Sequence, residues 1–192
     1  MIRRLFAALA VSFLAGCMVV PIPIPLPGPA TDTGSAPKRQ IARAPERPNP
    51  AQFGPAPATS RCTPPAEAAR LGAEIRRLVN RERSARGLPA LSRSGRLETI
   101  AQGHACDNAA RGSHSHTGSD GSSLTTRLRR GGYHLRHAAE NTGLGFENDA
   151  ARMVSYWMNS SGHRANILNP KLRQVGVGIA RRNAGRMAWV LV

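Results

Sequence analysis

Three short stretches hold the side chains best suited to chemistry. Ser115-His116-Thr117-Gly118-Ser119-Asp120-Gly121 contributes His116, Ala139-Glu140-Asn141 contributes Glu140, and Trp157 to Pro170, which includes Ser160-Ser161-Gly162-His163, contributes His163. An imidazole exchanges a proton near neutral pH, and a carboxylate beside it can fix its tautomer. Two neutral imidazoles are also good ligands for a divalent metal such as zinc. His116 and His163 are therefore candidate ligands, with Glu140 available as a third and one position left for water. No His-x-x-x-His or comparable local spacing supports the metal reading. Glu140 can equally accept a ring proton and hold a His-Glu-His cluster together without metal. Ser115, Ser160 and Ser161 adjoin the histidines, but none stands in a nucleophile-elbow pattern, and acyl transfer would also need an oxyanion hole. Asn141 and Ser161 complete the candidate cleft, and Asn141 and Asn166 are suited to bonding backbone groups near it. His104 and His114 are candidates for a supporting role. The three principal groups are far apart in sequence, so only a fold can make them one site.

The elements that must position them follow from periodicity and punctuation. Thr63 followed by Pro64 reads as a helix start, and Leu71, Ile75, Leu78 and Val79 then share a face up to a stop at Gly87. A second helix is predicted from Ser94 to Arg111, buried through Leu97, Ile100, Ala101 and Ala105, and stopped at Gly112. Ser122 or Ser123 can cap a short helix through Leu124 and Leu128. Asn148 can cap another, with Met153, Val154 and Trp157 as its apolar stripe. Asp120-Gly121 reads as a turn. Val175–Ala180 and Met187–Val192 read as strands joined by a hairpin turn at 181–186, and Tyr133–Gly143 as a further strand carrying Glu140. Trp157 and Trp189 are expected in the core. Helices and antiparallel strands mix without βαβ alternation, so the class is α+β.

The front of the chain has a different character. A basic Met1–Arg4 segment precedes an apolar run, Leu5–Ala15, that is too short to span a bilayer and suits a signal-peptide core. Its end, Leu14-Ala15-Gly16-Cys17, resembles the lipobox of bacterial lipoproteins. The resemblance implies a signal peptide of residues 1–16 and acylation of Cys17, palmitate being one such acyl group. An ordinary secretory signal with an incidental cysteine is the alternative. Residues 17–61 are expected to be a disordered, proline-rich tether, since the Met18–Arg61 stretch holds 11 of the chain's 15 prolines. Residues 62–192 form the expected domain. In an oxidising compartment Cys62 and Cys106 read as one disulfide, with two unpaired buried thiols as the alternative. The formal charge is +16, almost all of it from arginine, since Lys38 and Lys171 are the only lysines. Export argues against nucleic acid as the partner of these cations. Anionic lipid headgroups or cell-wall polymers remain as partners, alongside a genome-wide arginine bias.

The order of these motifs resembles the bacterial branch of the CAP superfamily, which contains the cysteine-rich secretory, antigen 5 and pathogenesis-related proteins and is also called the SCP domain. The resemblance rests on the helix from Arg70, Ser115-His116-Thr117, Ala139-Glu140-Asn141, the Trp157–Pro170 block and Val175-Gly176-Val177-Gly178. It implies a three-layer α-β-α sandwich around a small, mainly antiparallel sheet, with a central cleft that carries two histidines and acidic residues. Animal and plant members carry a second Glu three residues after the helix tryptophan, where this chain has Ser160. The expected function is a non-catalytic, envelope-anchored binding domain for a lipid or cell-wall ligand. The chain would sit on the outer membrane, periplasmic or surface-facing, or else be secreted. The rival readings are a metal-assisted hydrolase of peptide or cell-wall substrates, and a structural interaction module.

Overall fold

A computed structural model describes residues 49–134, 136–182 and 185–192. The signal segment, Cys17 and most of the proline-rich stretch therefore lie outside the described residues. The elements are helices α1 (Ala68–Ser84), α2 (Gly95–Arg111), α3 (Leu124–Arg130), α4 (Ala150–Asn159) and α5 (Ser161–Ile167), and strands β1 (Ser92–Arg93), β2 (Asn141–Leu144), β3 (Gln174–Val175), β4 (Val177–Ala180) and β5 (Ala188–Leu191).

The sheet is antiparallel in the order β2-β5-β4, with Thr142 opposite Val190 and Ile179 opposite Trp189. A separate two-residue parallel ladder joins β1 to β3. Side chains alternate across β5, so its two faces feed two cores. Ile179, Met187, Trp189 and Leu191 pack with Leu71, Ile75, Val79 of α1 and Met153, Val154, Trp157 of α4. Ala180, Ala188 and Val190 pack with Ala101, Ala105, Cys106 and Ala109 of α2. Helices on both faces of a central sheet make the expected three-layer sandwich. Both tryptophans are buried and both indole N–H groups are satisfied, Trp157 by the Thr142 carbonyl at 2.9 Å and Trp189 by the Gly145 carbonyl at 2.7 Å.

The second layer is thin because glycine makes it so. A Cβ on Gly176 would lie 2.2 Å from the Leu97 carbonyl carbon, and one on Gly178 would lie 2.2 Å from that of Ala101. The glycines that alternate with valine and isoleucine in 175–180 let the backbone of α2 rest directly on β4.

Local signals set most helix ends. Ser94 accepts from the Leu97 amide at 3.4 Å to open α2, and Gly112 closes it in the left-handed conformation at φ 60°. Ser123, rather than Ser122, opens α3. Two predicted starts move. Helix α1 begins at Ala68 instead of Pro64, because Pro64 precedes Pro65 and a residue before proline is pushed out of the helical region. Asp149 instead of Asn148 caps α4, its carboxylate accepting from the Arg152 amide at 2.9 Å, while Asn148 sits at φ 55°.

Cys62 and Cys106 form the disulfide, with their Cα atoms 5.6 Å apart. The packed domain starts ahead of Cys62. Residues 50–53 and 58–60 form short 3₁₀ turns. Arg130 donates to the Phe53 carbonyl at 2.9 Å, and Thr59 donates to Asp107. The described end of the expected tether is therefore part of the domain. Among the described residues no helix is long and apolar enough to cross a membrane.

Candidate functional site

His116 is presented by the loop between α2 and α3, and that loop is held from beneath by two charged side chains. Buried Asp107 accepts from the Ser119 amide at 2.8 Å, from Arg111 Nη2 at 3.0 Å and from the Thr59 hydroxyl at 2.5 Å. Burial alone would push its carboxyl up, but the Ser119 and Thr59 bonds and the Arg111 charge hold it below the usual range. Arg127 donates through Nη1 to the His116 carbonyl at 3.0 Å and to the Ser122 carbonyl at 2.8 Å. Asp120 makes the expected turn, accepting from the Ser122 amide at 3.0 Å with Gly121 at φ 76°. The imidazole itself is open to solvent, its side chain 58% exposed.

Glu140 is the node of the site. It lies one residue before β2 instead of within a strand, because on that side β5 pairs only with Asn141–Leu144 and residues 136–140 run irregularly. Both its oxygens are taken. Oε1 accepts from His116 Nδ1 at 2.9 Å and Oε2 from Arg127 Nη2 at 2.7 Å. His104 Nε2 lies 3.8 Å from Oε1 and donates to the Ser115 carbonyl at 2.8 Å. Burial would raise the Glu140 carboxyl, but the His116 bond and the Arg127 charge outweigh it and hold the group ionised. His116 is raised in turn, chiefly by its bond to Glu140. An ionised Glu140 needs a proton on His116 Nδ1, which leaves Nε2 as the outward-facing acceptor of the neutral ring. His104 goes the other way, since burial holds it neutral.

His163 comes from α5, a helix that periodicity did not suggest. Two asparagines tie α5 to the Glu140 segment. Asn141 Nδ2 donates to the His163 carbonyl at 3.0 Å, and Asn166 Nδ2 donates to the Glu140 carbonyl at 3.1 Å and to Asn141 Oδ1 at 2.9 Å. Arg83, fully buried, reaches the other end of α5 and donates to the Ile167 and Asn169 carbonyls at 2.8 and 2.9 Å. His163 Nδ1 is buried without a partner, and the Tyr156 ring centroid lies 5.9 Å from that of His163. Burial, then the charges of His116 and His114, push the His163 ring below its ordinary value. One site thus holds one imidazole biased towards the proton and one biased away from it.

The arrangement gathers His116, Glu140 and Asn141 tightly, and the His163 backbone with them. Ser161 is exposed on the first turn of α5 and bonds neither histidine, and among the described residues no serine hydroxyl is bonded to either ring. The donor set suits a metal poorly. Glu140 is already neutralised by a guanidinium, and among the described residues no three His, Cys, Asp or Glu side chains converge as ligands. His116 Nε2 and His163 remain as the available nitrogens. The sequence reading missed Arg127 and Arg83. Each signalled itself as a charge on an apolar helix face, Arg127 beside Leu128 and Arg83 four residues after Val79. Neither central histidine lines the groove of about 620 Å³ between the segment 136–139 and Lys171–Gln174.

The fold has counterparts among known proteins. The chain is 28% identical over 151 residues to "Uncharacterized protein YkwD" of Bacillus subtilis, covering 77% of this chain and 58% of that protein. It is 32% identical over 109 residues to "Uncharacterized membrane protein YlbC" of the same organism, covering 57% of this chain and 31% of that one. The chain thus spans less than two thirds of either relative. Among solved structures, an extracellular protein containing an SCP domain from Bacillus anthracis matches with a TM-score of 0.56 at 27% identity, covering 65% of this chain and 41% of that one. An outer surface protein from Borrelia burgdorferi shares the fold, with a TM-score of 0.54 at 18% identity over 62% of this chain and 87% of that one. The model of the CAP, or cysteine-rich secretory protein, family matches residues 76–192, the span that contains His116, Glu140 and His163, and the chain belongs to that family.

Proposed function

We propose that the protein is an exported binding domain whose His116–His163 surface receives a lipid or cell-wall ligand at the cell envelope. The observation that carries this reading is the saturation of Glu140. With Arg127 on one oxygen and His116 on the other, the buried Glu140 carboxylate braces the site instead of awaiting substrate. What remains open to a ligand is His116 Nε2, His163 and the neighbouring Tyr156, which is 43% exposed. These groups can donate, accept and stack, as recognition of a polar, ring-bearing molecule requires. Export is supported by the signal-like leader, by the disulfide and by the extracellular SCP-domain relative. Anchoring through acylated Cys17, with placement at the outer membrane, completes the proposal. The full chain carrying Cys17→Ser should sediment with purified cell-wall sacculi or with lipid vesicles. His116→Ala with His163→Ala should weaken that binding at least tenfold. Equal binding by the two proteins removes the histidine surface from the account.

A second reading is favoured by one observation, the opposed shifts of His116 and His163. Titratable neighbours driven apart in this way are suited to general acid–base work. Hydrolysis of peptide or cell-wall substrates, with one imidazole giving a proton and the other taking one, would follow. Turnover of a muropeptide or peptide panel that is abolished by His116→Ala and by His163→Ala would establish it over binding.

A further inference from the structure

A groove of about 620 Å³ carries charge that nothing in the histidine site uses. Its rim holds Arg136, Lys171, Arg173, His134 and His137, all exposed, over an apolar floor that includes Leu128. Among the described residues no Asp or Glu side chain lines it. Among the described residues Arg136, Lys171 and Arg173 pair with no carboxylate. Glu98, next to the lining residue Leu97, is already held by Arg93 through contacts of 2.7 and 2.6 Å. Arg173 is fixed in place, its Nη1 donating to the Leu172 carbonyl at 2.9 Å and to the Pro170 carbonyl.

Guanidinium forks match phosphate oxygens, and an ammonium adds a compact point charge. A single carboxylate would leave most of this charge unanswered, whereas a phosphate monoester brings a charge near −2. A volume of about 620 Å³ admits a body the size of a phosphorylated sugar or a lipid headgroup. We propose that the groove formed by Arg136, Lys171 and Arg173 binds a phosphate monoester carried on a small polar body. The proposal does not rest on the His116–His163 reading, since the two sites share no residue.

The test uses the full chain carrying Cys17→Ser and two probes, glycerol 3-phosphate in solution and phosphatidylcholine vesicles containing phosphatidic acid. Amide NMR shifts on adding glycerol 3-phosphate should map to 133–138 and 171–174 and spare His116 and His163. Arg136→Gln with Lys171→Gln should weaken binding at least tenfold. Arg77→Gln with Arg81→Gln, the same loss of charge on the exposed face of α1, should change it less than twofold. Binding of both probes assigns a free phosphate ester. Binding of the vesicles alone, lost only in the groove variant, assigns a headgroup. Equal loss in both variants shows that net charge alone drives binding and overturns the proposal, as does failure of both probes to bind. If the groove variant is unstable, the shift map on the unsubstituted chain decides.

Discussion

Arg127→Met is the sharpest perturbation of the site, because it keeps side-chain bulk and deletes only charge and donors. Arg127 is 8% exposed and Glu140 6%, so the substitution strands an ionised carboxylate away from water. Removing one partner of a buried pair costs about 3–5 kcal/mol. The bonds from Arg127 to the His116 and Ser122 carbonyls are lost in the same step, which places the cost towards the upper end. In a domain of this size each kcal/mol moves Tm by about 2–4 °C, so a fall of about 6–20 °C is expected. Glu140→Gln separates the pair from the carbonyl bonds. The double variant should cost less than the sum of the two singles by about 1–3 kcal/mol in urea unfolding. His116 supplies a second readout. The Glu140 bond raises it and the Arg127 charge lowers it, so its NMR titration midpoint should rise in Arg127→Met and fall in Glu140→Gln. No stability is assigned to the His116 shift itself, since its exposed ring is screened by solvent. A loss under 1 kcal/mol for Arg127→Met, or midpoints that move the same way in both variants, would refute the reasoning.

Three further outcomes test the frame. Replacing Cys62 and Cys106 by serine opens a loop of 44 residues and should cost about 4 kcal/mol by chain entropy, read as a lower urea midpoint. Gly178→Ala drives a methyl into the backbone of α2 and should cost about 3 kcal/mol or more in the same assay, because backbone cannot give way as a side chain can. Stability should fall from about pH 6.5 downward in two stages. His104 and His163, held below their ordinary value near 6.5, must take up protons on unfolding, so their contribution is lost as pH drops beneath that value. Glu140 and Asp107, held below the ordinary carboxylate range, contribute above the unfolded value and lose that contribution as pH falls through their folded values. His116, raised, works in the opposite sense, but its exposed ring is screened by solvent and adds no share to this fall. A Tm that stays level between pH 7 and pH 4 contradicts the assignment of these groups.

The helices, and most of their ends, were legible because their causes are local. A serine before an apolar stripe and a glycine after it act within one turn, so Ser94, Gly112 and Ser123 could be read directly. The errors were local as well, and came from competition between adjacent signals. Pro65 overrode Thr63-Pro64, and Asp149 outcompeted Asn148. Tyr133–Gly143 has the composition of a strand, but strand length is set by a partner, and β5 offers only four residues. Helix α5 escaped notice because its residues bury little beyond Ile167, and it is held by Asn141, Asn166 and Arg83 from other elements.

By itself the sequence determined which side chains the site can draw on, the α+β class and where most helices begin and end. These depend on residue identity, period and motif order, all of which are written along the chain. Only the tertiary structure decided what the chosen side chains are to each other. Arg127 reaches Glu140 across 13 positions and His116 reaches it across 24, and those contacts set which carboxylate oxygen is spent, which imidazole nitrogen faces outward and in which direction each ring is shifted. Electrostatics and desolvation depend on distance and burial in space, neither of which spacing along a chain encodes.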